Sequence, residues 1–323
     1  MTRTIRRPLA TVAVLLSAFV LAACGSGPSR VDSAAIVGDR SVGLDEVQSE
    51  IRWLIDNVDQ AEQAQQQGKL AQFGREVVRS RVVHELVEIA ARRERLRVDP
   101  AEVDRLIQAN GGRETIATTV LAEPGRVRQV VRDQLLLQQL AETYRDRLSV
   151  DIVGTLVTES NAQATAEDTA RELGERIAAD PDAAEAMLRE DGHQVLNETF
   201  ALGETLQQDP ELAMSAVFGA DEGTVVVVQP SRQQTGWLVA LVAERTFGPS
   251  TGRDTAVTDP AAAQASNPEL LYRAGMRQLQ PIADELGVRI NPRYGVWDAV
   301  GMAPAPSEEE LTGYQWESRT VQP

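Results

Sequence analysis

Side chains that commonly perform acid–base, nucleophilic or metal chemistry are scarce in this chain, which has one cysteine and two histidines among 323 residues. His84 lies in the stretch HELVE, where Glu88 stands in place of the second histidine of the zinc-binding pattern His-Glu-x-x-His, so a metal site here would be one ligand short. We interpret His84 as a helix-edge histidine beside Glu88, and His193 as a loop residue. The sequence contains no glycine-rich phosphate loop, no serine nucleophile elbow and no pair of CxxC motifs. It therefore predicts no metal site and no cofactor.

The only cysteine, Cys24, directly follows an apolar run near the start of the chain. Three arginines fall within residues 1–7, residues 8–20 form the apolar run, and Ala22 and Ala23 stand just before the cysteine. A basic start and a short apolar run are typical of a secretory signal, and the run is too short to span a membrane. The order of these features resembles the lipobox of bacterial lipoproteins, in which the chain is cut just before a lipid-carrying cysteine. The alternative is an ordinary secretory signal that ends near a cysteine.

The lipobox resemblance implies where the mature protein lies. Lipid on Cys24 would anchor it to the cell membrane at the extracytoplasmic face. Other roles for this thiol are disfavoured, because a lone cysteine forms no disulfide within the chain and a thiolate metal site needs ligands that are not nearby.

The chain is strongly acidic. Its formal net charge is -16, and removal of residues 1–23 with their three arginines would leave -19. Because phosphate binding requires a basic face, we expect no nucleic-acid partner. A hydrophobic content of 42% over this length predicts a sizeable core and two domains.

The first part of the mature chain has the apolar spacing of a helical unit. Residues 34–42 read as one short strand with a turn signal at Gly38 and Asp39, and residues 59–68 read as a polar connector. Asp99 followed by Pro100 marks the start of a helix. The spacing predicts helices over residues 44–58, 69–96, 99–110, 113–122 and 124–147.

From residue 149 the pattern changes to that of a small α/β domain with a largely antiparallel sheet. Beyond it, residues 248–266 read as a linker, and the tail from Met302, rich in Pro, Glu and Gly, is expected to be disordered. The sequence predicts strands over residues 149–159, 195–202, 224–229, 237–244 and 288–291, and helices over 164–179, 181–189, 210–218 and 267–287.

The two short strands at residues 34–42 and 288–291 have no strand next to them in the sequence. An unpaired strand leaves its backbone hydrogen bonds unsatisfied, so we expect these strands to pair with each other. The fold class is therefore α+β, a mostly helical domain completed by the C-terminal helix and strand, with an inserted α/β domain. The predicted divisions are a signal peptide (1–23), a linker (24–33), the helical domain (34–148), the α/β domain (149–247), a linker (248–266), the returning helix and strand (267–300) and a disordered tail (301–323).

Several stretches, in this order, resemble the SurA and PrsA foldase family. AAIVGDRSVGLDEVQSEI, from residue 34, resembles the strand, turn and helix that open the family's chaperone domain. In the middle of the chain, LGE at 202–204, AVFGADEGTV at 216–225 and TGWLVALVAER at 235–245 resemble a divergent parvulin-type prolyl isomerase domain. RINPRYGVWD, at 289–298, ends a resemblance that covers about 260 residues.

The isomerase part departs from the family at the residues that matter for catalysis. The two family histidine positions hold Gly154, in VGTLV, and Leu238, in GWLVA, and the glycine-rich stretch is reduced to FALG at 200–203. Neither Gly nor Leu donates or accepts a hydrogen bond through its side chain. We therefore expect no catalytic residue and a loss of isomerase chemistry. The alternative is an active isomerase with an atypical site, in which an apolar pocket alone twists the prolyl amide.

The resemblance implies a membrane-anchored extracytoplasmic chaperone or foldase that binds unfolded or nascent exported proteins without ATP. A dedicated envelope assembly factor is a further alternative. Clients would bind in a groove between apolar helix faces. Trp53, Trp237 and Trp297 fall within apolar runs, and we interpret them as core residues.

Overall fold

The computed structural model describes residues 32–158, 164–230, 236–249 and 267–318. Within them the protein combines helices with antiparallel sheets, which confirms the predicted α+β class. Cys24, the signal and most of the 248–266 linker lie outside the described residues. The helices are α1 (Leu44–Asn57), α2 (Asp59–Gln66), α3 (Ala71–Arg93), α4 (Pro100–Ala109), α5 (Gly112–Val120), α6 (Val127–Arg145), α7 (Ala166–Ala179), α8 (Ala184–Glu190), α9 (Leu202–Gln208), α10 (Pro210–Ala213), α11 (Pro268–Arg277) and α12 (Gln280–Leu286).

The strands of the described residues form three separate sheets. The first has the order β2-β1-β7, the second the order β10-β5-β6-β3-β4, and the third is the two-stranded ribbon β8-β9. Every pairing in the three sheets is antiparallel. The strands are β1 (Ser33–Val37), β2 (Arg40–Gly43), β3 (Leu148–Val157), β4 (Leu196–Ala201), β5 (Thr224–Val228), β6 (Trp237–Phe247), β7 (Val288–Ile290), β8 (Val296–Asp298), β9 (Ala303–Ala305) and β10 (Gly313–Glu317).

Helices α1 to α6 form a unit, called the helical unit below, around the apolar face of α3. The sequence places Val78, Val82, Leu86 and Ile89 on this face; the first three are fully buried and Ile89 is partly buried. The start of α4 is also as predicted, because the Asp99 side chain accepts a hydrogen bond from Ala101 N at 2.9 Å and Pro100 takes the first helical position.

The first sheet joins the two ends of the described chain. Ala35 of β1 lies opposite Ile290 of β7, and Asn291 Nδ2 donates to Ser33 O at 3.0 Å across 258 residues of sequence. The predicted pairing of the two short strands is therefore confirmed. The expectation that residues 34–42 form one strand without a local partner is wrong, because the chain reverses at Gly38 (φ +59°) and β2 pairs with β1.

The returning segment is two helices where the sequence predicted one. Pro281 lies at the start of α12. A proline inside a continuous helix would have no backbone N–H to donate, and its ring would clash with the carbonyl four residues earlier. Helix α11 packs against α6 so closely that a Cβ on Gly275 would lie 2.0 Å from the carbonyl oxygen of Leu137. The C-terminal part of the chain is thus built into the helical unit.

The second sheet lies between two layers of helices. Helices α7 and α8 pack on one face with Val225 and Val239, and α9 and α10 pack on the other with Ile152 and Ala240. These elements, β3 to β6 with α7 to α10, are called the middle unit below. They confirm the prediction of a small α/β unit with an antiparallel sheet.

The prediction of a disordered tail is wrong for residues 302–318. Met302 is 1% exposed, β8 and β9 form a ribbon, and β10 pairs along its whole length with β5 of the middle unit. The composition is rich in Pro and Glu, but Tyr314 and Trp316 alternate along β10 and pack beside α7. These aromatic residues pack against an apolar surface from a distant part of the chain. The composition of the tail alone does not reveal that surface.

Three local predictions also need correction. The polar connector at 59–68 is helix α2, because Ala61 and Ala64 bury one face and its Ala, Gln and Glu residues favour helix. The predicted strand at 195–202 ends at Ala201, and an unpredicted helix, α9, begins at the next residue. The predicted helix at 210–218 is α10 followed by a separate 3-10 turn, which Ser215 caps by accepting from Val217 N.

Candidate functional site

Gly154 and Leu238, where the resemblance places the isomerase histidines, lie on the neighbouring strands β3 and β6. Gly154 is opposite Ala240, and Leu156 is opposite Leu238, so the two positions are diagonal neighbours. Because side chains alternate along a strand, both positions face the layer of α9 and α10. The sheet brings the two positions together on one face.

Neither position supplies a polar group. A Cβ at Gly154 would lie 2.2 Å from the carbonyl oxygen of Val239, so a side chain has no room there. Leu238 is 5% exposed and packs in the core between the sheet and α9. A prolyl amide at this place would receive no side-chain hydrogen bond from either residue.

His84 pairs with a carboxylate that the sequence did not reveal. Its Nδ1 lies 2.8 Å from Asp133 Oδ2, which joins α3 to α6. Glu88 lies one turn along α3, and one ligand atom each from His84, Glu88 and Asp133 fall within 4.8 Å of one another. The structure therefore adds Asp133 to the helix-edge pair predicted from the sequence.

The donor set of this cluster fits an ion-pair network better than a metal ion. Arg132 Nη1 donates to Glu88 Oε1 and lies 3.8 Å from Asp133 Oδ1, so a guanidinium already balances the carboxylates. Burial raises the pKa of Glu88, but the hydrogen bond from Arg132 and the nearby charges of Arg132, His84 and Arg92 together outweigh burial, so the pKa of Glu88 is lowered. Burial raises the pKa of Asp133, against the hydrogen bond with His84. A metal would have to displace Arg132.

A second buried network lies at the junction of α1, α3 and α6. Glu50 is fully buried and accepts from Arg126 Nη1 at 2.7 Å and from Arg81 Nε at 2.8 Å. Glu50 and Asp133 share a sequence signal, since each stands within the apolar stripe of its helix, three residues before or after buried aliphatic residues such as Val47. This signal predicts that the acidic side chain is buried, but it does not predict the partners of that side chain, which lie elsewhere in the chain.

A large cleft borders the first sheet. It has a volume of about 890 Å³ and a mostly apolar lining that includes Ile36, Ile290, Val296 and Trp297. Strand β7, at the edge of its sheet, lies along this cleft. This cleft lies between strands and the C-terminal segment, and the client groove expected between helix faces stays a prediction.

The three tryptophans singled out from the sequence differ in burial. Trp237 is 8% exposed and belongs to the core beneath α7, as predicted. Trp53 and Trp297 are half-buried against the core of the helical unit. Trp297, unlike Trp53, also lines the 890 Å³ cleft, so it both packs on the core and forms part of the candidate binding surface. His193 lies in the loop after α8, as predicted.

Comparison with known protein families supports the N-terminal part of the sequence resemblance, and the parvulin-like part stays a prediction. Residues 1–112 match the family model of the SurA-like N-terminal domain. Comparison with curated proteins and with solved structures found no match. The SurA-like match covers β1, β2 and α1 to α4, whereas β7, which completes their sheet, comes from outside it. Among the described helices, none is long and apolar enough to cross a membrane.

Proposed function

We propose that the protein is an extracytoplasmic chaperone that binds unfolded or nascent exported proteins without ATP. The SurA-like match over residues 1–112 carries the proposal. The apolar cleft beside this region supports it, because a large concave apolar surface suits an extended chain. Strand β7 borders the cleft, so a client segment would gain both apolar contacts and strand-like hydrogen bonds at that edge.

We further propose that lipid on Cys24 tethers the chaperone to the membrane. Residues 25–32 separate Cys24 from β1, and eight residues span at most roughly 30 Å. The cleft, which Ser33 helps to line, would then lie close to the surface where exported chains emerge. Replacement of Cys24 by Ser should move the protein from the membrane fraction to the soluble fraction, and retention on the membrane would contradict the tether.

In this proposal the middle unit has no isomerase activity. Gly154 and Leu238 offer no side-chain hydrogen bond, and the glycine has no room for a larger residue. The test is the rate of cis/trans exchange of a proline peptide with and without the protein. An unchanged rate is expected, and a clear acceleration would overturn this part of the proposal.

The chaperone proposal is tested by light scattering of a chemically unfolded client diluted into buffer with the mature chain. The protein should suppress aggregation of several unrelated clients at near-stoichiometric amounts. A Val296→Glu variant, which places a charge in the cleft, should suppress less. Ile116→Glu is the matched control, because Ile116 is a similarly half-buried aliphatic residue on α5, away from the cleft. Failure of the native chain to suppress aggregation would overturn the proposal.

A further inference from the structure

Strand β5 would form an open, apolar edge of the second sheet if nothing covered it. Its sequence is TVVVV, and its four valines are at most 3% exposed. Val225 and Val227 pack toward α7, whereas Val226 and Val228 pack toward α9 and α10. One side of β5 pairs with β6, so only its other side could be open. An open edge of an apolar strand pairs readily with an extended chain.

Strand β10, the last strand that the structure describes, covers this edge. Gly313–Glu317 pairs with Thr224–Val228 residue for residue, and Ser318 N donates to Gly223 O at 2.8 Å. The three central side chains of β10 are only partly buried, and no described strand lies on its outer side. Terminal edge strands of this kind open at a lower free energy than the central strands of a sheet. β10 can therefore separate while the rest of the sheet stays folded.

The contact of β10 with α12 is polar and incompletely satisfied. Gln315 Nε2 donates to Asp284 Oδ2 at 3.1 Å, and Gln280 Nε2 donates to Gln315 Oε1 at 2.8 Å. Within the described part of the chain, the buried Gln280 Oε1 has no hydrogen-bond partner. Burial raises the pKa of Asp284 to about 6, and the nearby charges of Asp221 and Glu317 raise it further. An unsatisfied acceptor and a partly buried charge both weaken the attachment of β10.

The opposite face of β10 contacts α7 through alternate side chains. Tyr314 and Trp316 stack with their ring centroids 5.9 Å apart, and the guanidinium of Arg171 lies 5.8 Å from the Tyr314 centroid. Trp316 packs so closely that a Cβ on Gly174 would lie 2.7 Å from its Cζ3. Strand-addition sites hold an extended peptide in this way, by backbone pairing and a surface shaped for every second side chain. The β5 edge and α7 have the form of such a site, with β10 as its occupant.

We propose that β10 is an autoinhibitory strand, which covers a second client-binding edge on β5 and is displaced by an extended client segment with apolar residues at alternate positions. The proposal rests on the proposed client-binding function. It adds a binding edge in the middle unit to the cleft beside β7, and none of the residues that line that cleft belongs to β5. It also gives the middle unit a role that needs no isomerase chemistry.

A disulfide that fixes β10 on β5 tests this proposal in the full mature chain, with Cys24 replaced by Ser. Because Ser318 N donates to Gly223 O, the next pair, Thr224 and Glu317, is of the non-hydrogen-bonded kind, with Cα atoms ~4.5 Å apart. Thr224→Cys combined with Glu317→Cys therefore brings two thiols close enough for a disulfide. Thr224→Ser combined with Glu317→Ser, treated with the same oxidant, is the matched control.

The probe is a fluorescently labelled peptide with the sequence of residues 311–318, LTGYQWES, read by anisotropy, with a scrambled peptide as its control. The reduced cysteine variant and the serine control should bind the probe, because β10 opens and the probe takes its place. The oxidised variant should lose this binding, and it should suppress client aggregation less than the same protein after reduction. Equal binding by the oxidised and reduced forms, or binding by neither, would overturn the proposal.

A second pair of variants does not depend on disulfide formation. Trp316→Ala removes a large aromatic contact of β10, so this chain should bind the probe several-fold more tightly than the unsubstituted chain does. Trp53→Ala is the matched control, because Trp53 is also half-buried but lies on α1 in the helical unit. It should leave the affinity for the probe unchanged. An affinity of Trp316→Ala equal to that of the unsubstituted chain would contradict competition by β10.

The outcomes separate this proposal from the chaperone function. Suppression of client aggregation that the disulfide leaves unchanged, without probe binding, leaves the chaperone function intact and overturns the autoinhibitory strand. Probe binding that the disulfide abolishes, in a chain that suppresses no aggregation, supports the displaceable strand and overturns the general chaperone function. Disulfide-linked dimers as the main oxidation product would show that β10 covers the edge of a second copy, which also contradicts the proposal.

Discussion

At the scale of single residues, Glu50 makes the strongest prediction about stability. Its fully buried carboxylate accepts from both Arg81 of α3 and Arg126, the residue just before α6. Replacement by Gln leaves Arg126 without its carboxylate partner and Arg81 with only the exposed Glu46. We expect Glu50→Gln to lower the free energy of unfolding by about 3–5 kcal/mol, measured by urea titration at pH 7.

The matched control for Glu50 is Glu46, which pairs with the same Arg81 but is 65% exposed. Exposed ion pairs contribute little, so Glu46→Gln should change the free energy of unfolding by less than about 1 kcal/mol. Similar effects of the two substitutions would show that burial does not determine how much each ion pair contributes to the free energy of unfolding.

The sequence revealed single residues well when their role was local. Asp99 and Pro100 start α4 as predicted, because a cap acts on the next few backbone amides. His84 was placed on a helix edge, but its partner Asp133 stands 49 residues away on α6. Such a pairing depends on how two helices meet, which their separate periodicities do not fix.

At the scale of elements, the contact between α12 and β10 predicts a dependence of stability on pH. Burial raises the pKa of Asp284 to about 6, although Gln315 of β10 donates a hydrogen bond to it at 3.1 Å. The folded state therefore holds this proton more tightly than the unfolded chain, whose aspartate titrates near 3.8. This contribution to stability is present at low pH and is lost as the pH rises through about 6.

Replacement of Asp284 by Asn isolates that effect. The stability of Asp284→Asn relative to that of the unsubstituted chain should rise by on the order of 1 kcal/mol from pH 5 to pH 8. Over this range only the unsubstituted chain acquires a charge on a partly buried carboxylate. Urea titrations at the two pH values measure the difference. A stability difference between the two proteins that does not change with pH would contradict the raised pKa.

Elements were predictable from sequence where one face is clearly apolar, as in α3, and where a strand has no possible local partner, as in β7. Helix α2 was missed because its buried face consists only of Ala61 and Ala64, which carry a weak apolar signal. Strand β10 was missed because its partner, β5, lies far away in the sequence. Both errors arise from burial that only the assembled fold creates.

At the scale of the whole molecule, β10 ties the C-terminal segment to the middle unit. It extends the second sheet beside β5, while Tyr314 and Trp316 cover part of the core next to α7. A chain that ends at residue 310 should lose about 3 kcal/mol of unfolding free energy, because two large aromatic side chains and an edge strand are removed. It should also aggregate more readily through the open edge of β5.

Urea titration and light scattering of the shortened chain measure both effects. The control is a chain that ends at residue 318, which keeps all of β10. An unfolding midpoint equal to that of the full chain, for the version that ends at residue 310, would show that β10 is not needed for the sheet.

The pairing of β1 with β7 determines the order in which parts of the protein can fold during its synthesis. Ser33 and Asn291, hydrogen-bonded to each other, are 258 residues apart, so at ~5–20 residues per second β1 waits roughly 10 to 50 s for its partner strand. The middle unit is synthesised in that interval and can fold before β10 is added to its sheet. The helical unit closes only when nearly the whole chain has emerged, so for most of its synthesis this protein is itself incompletely folded.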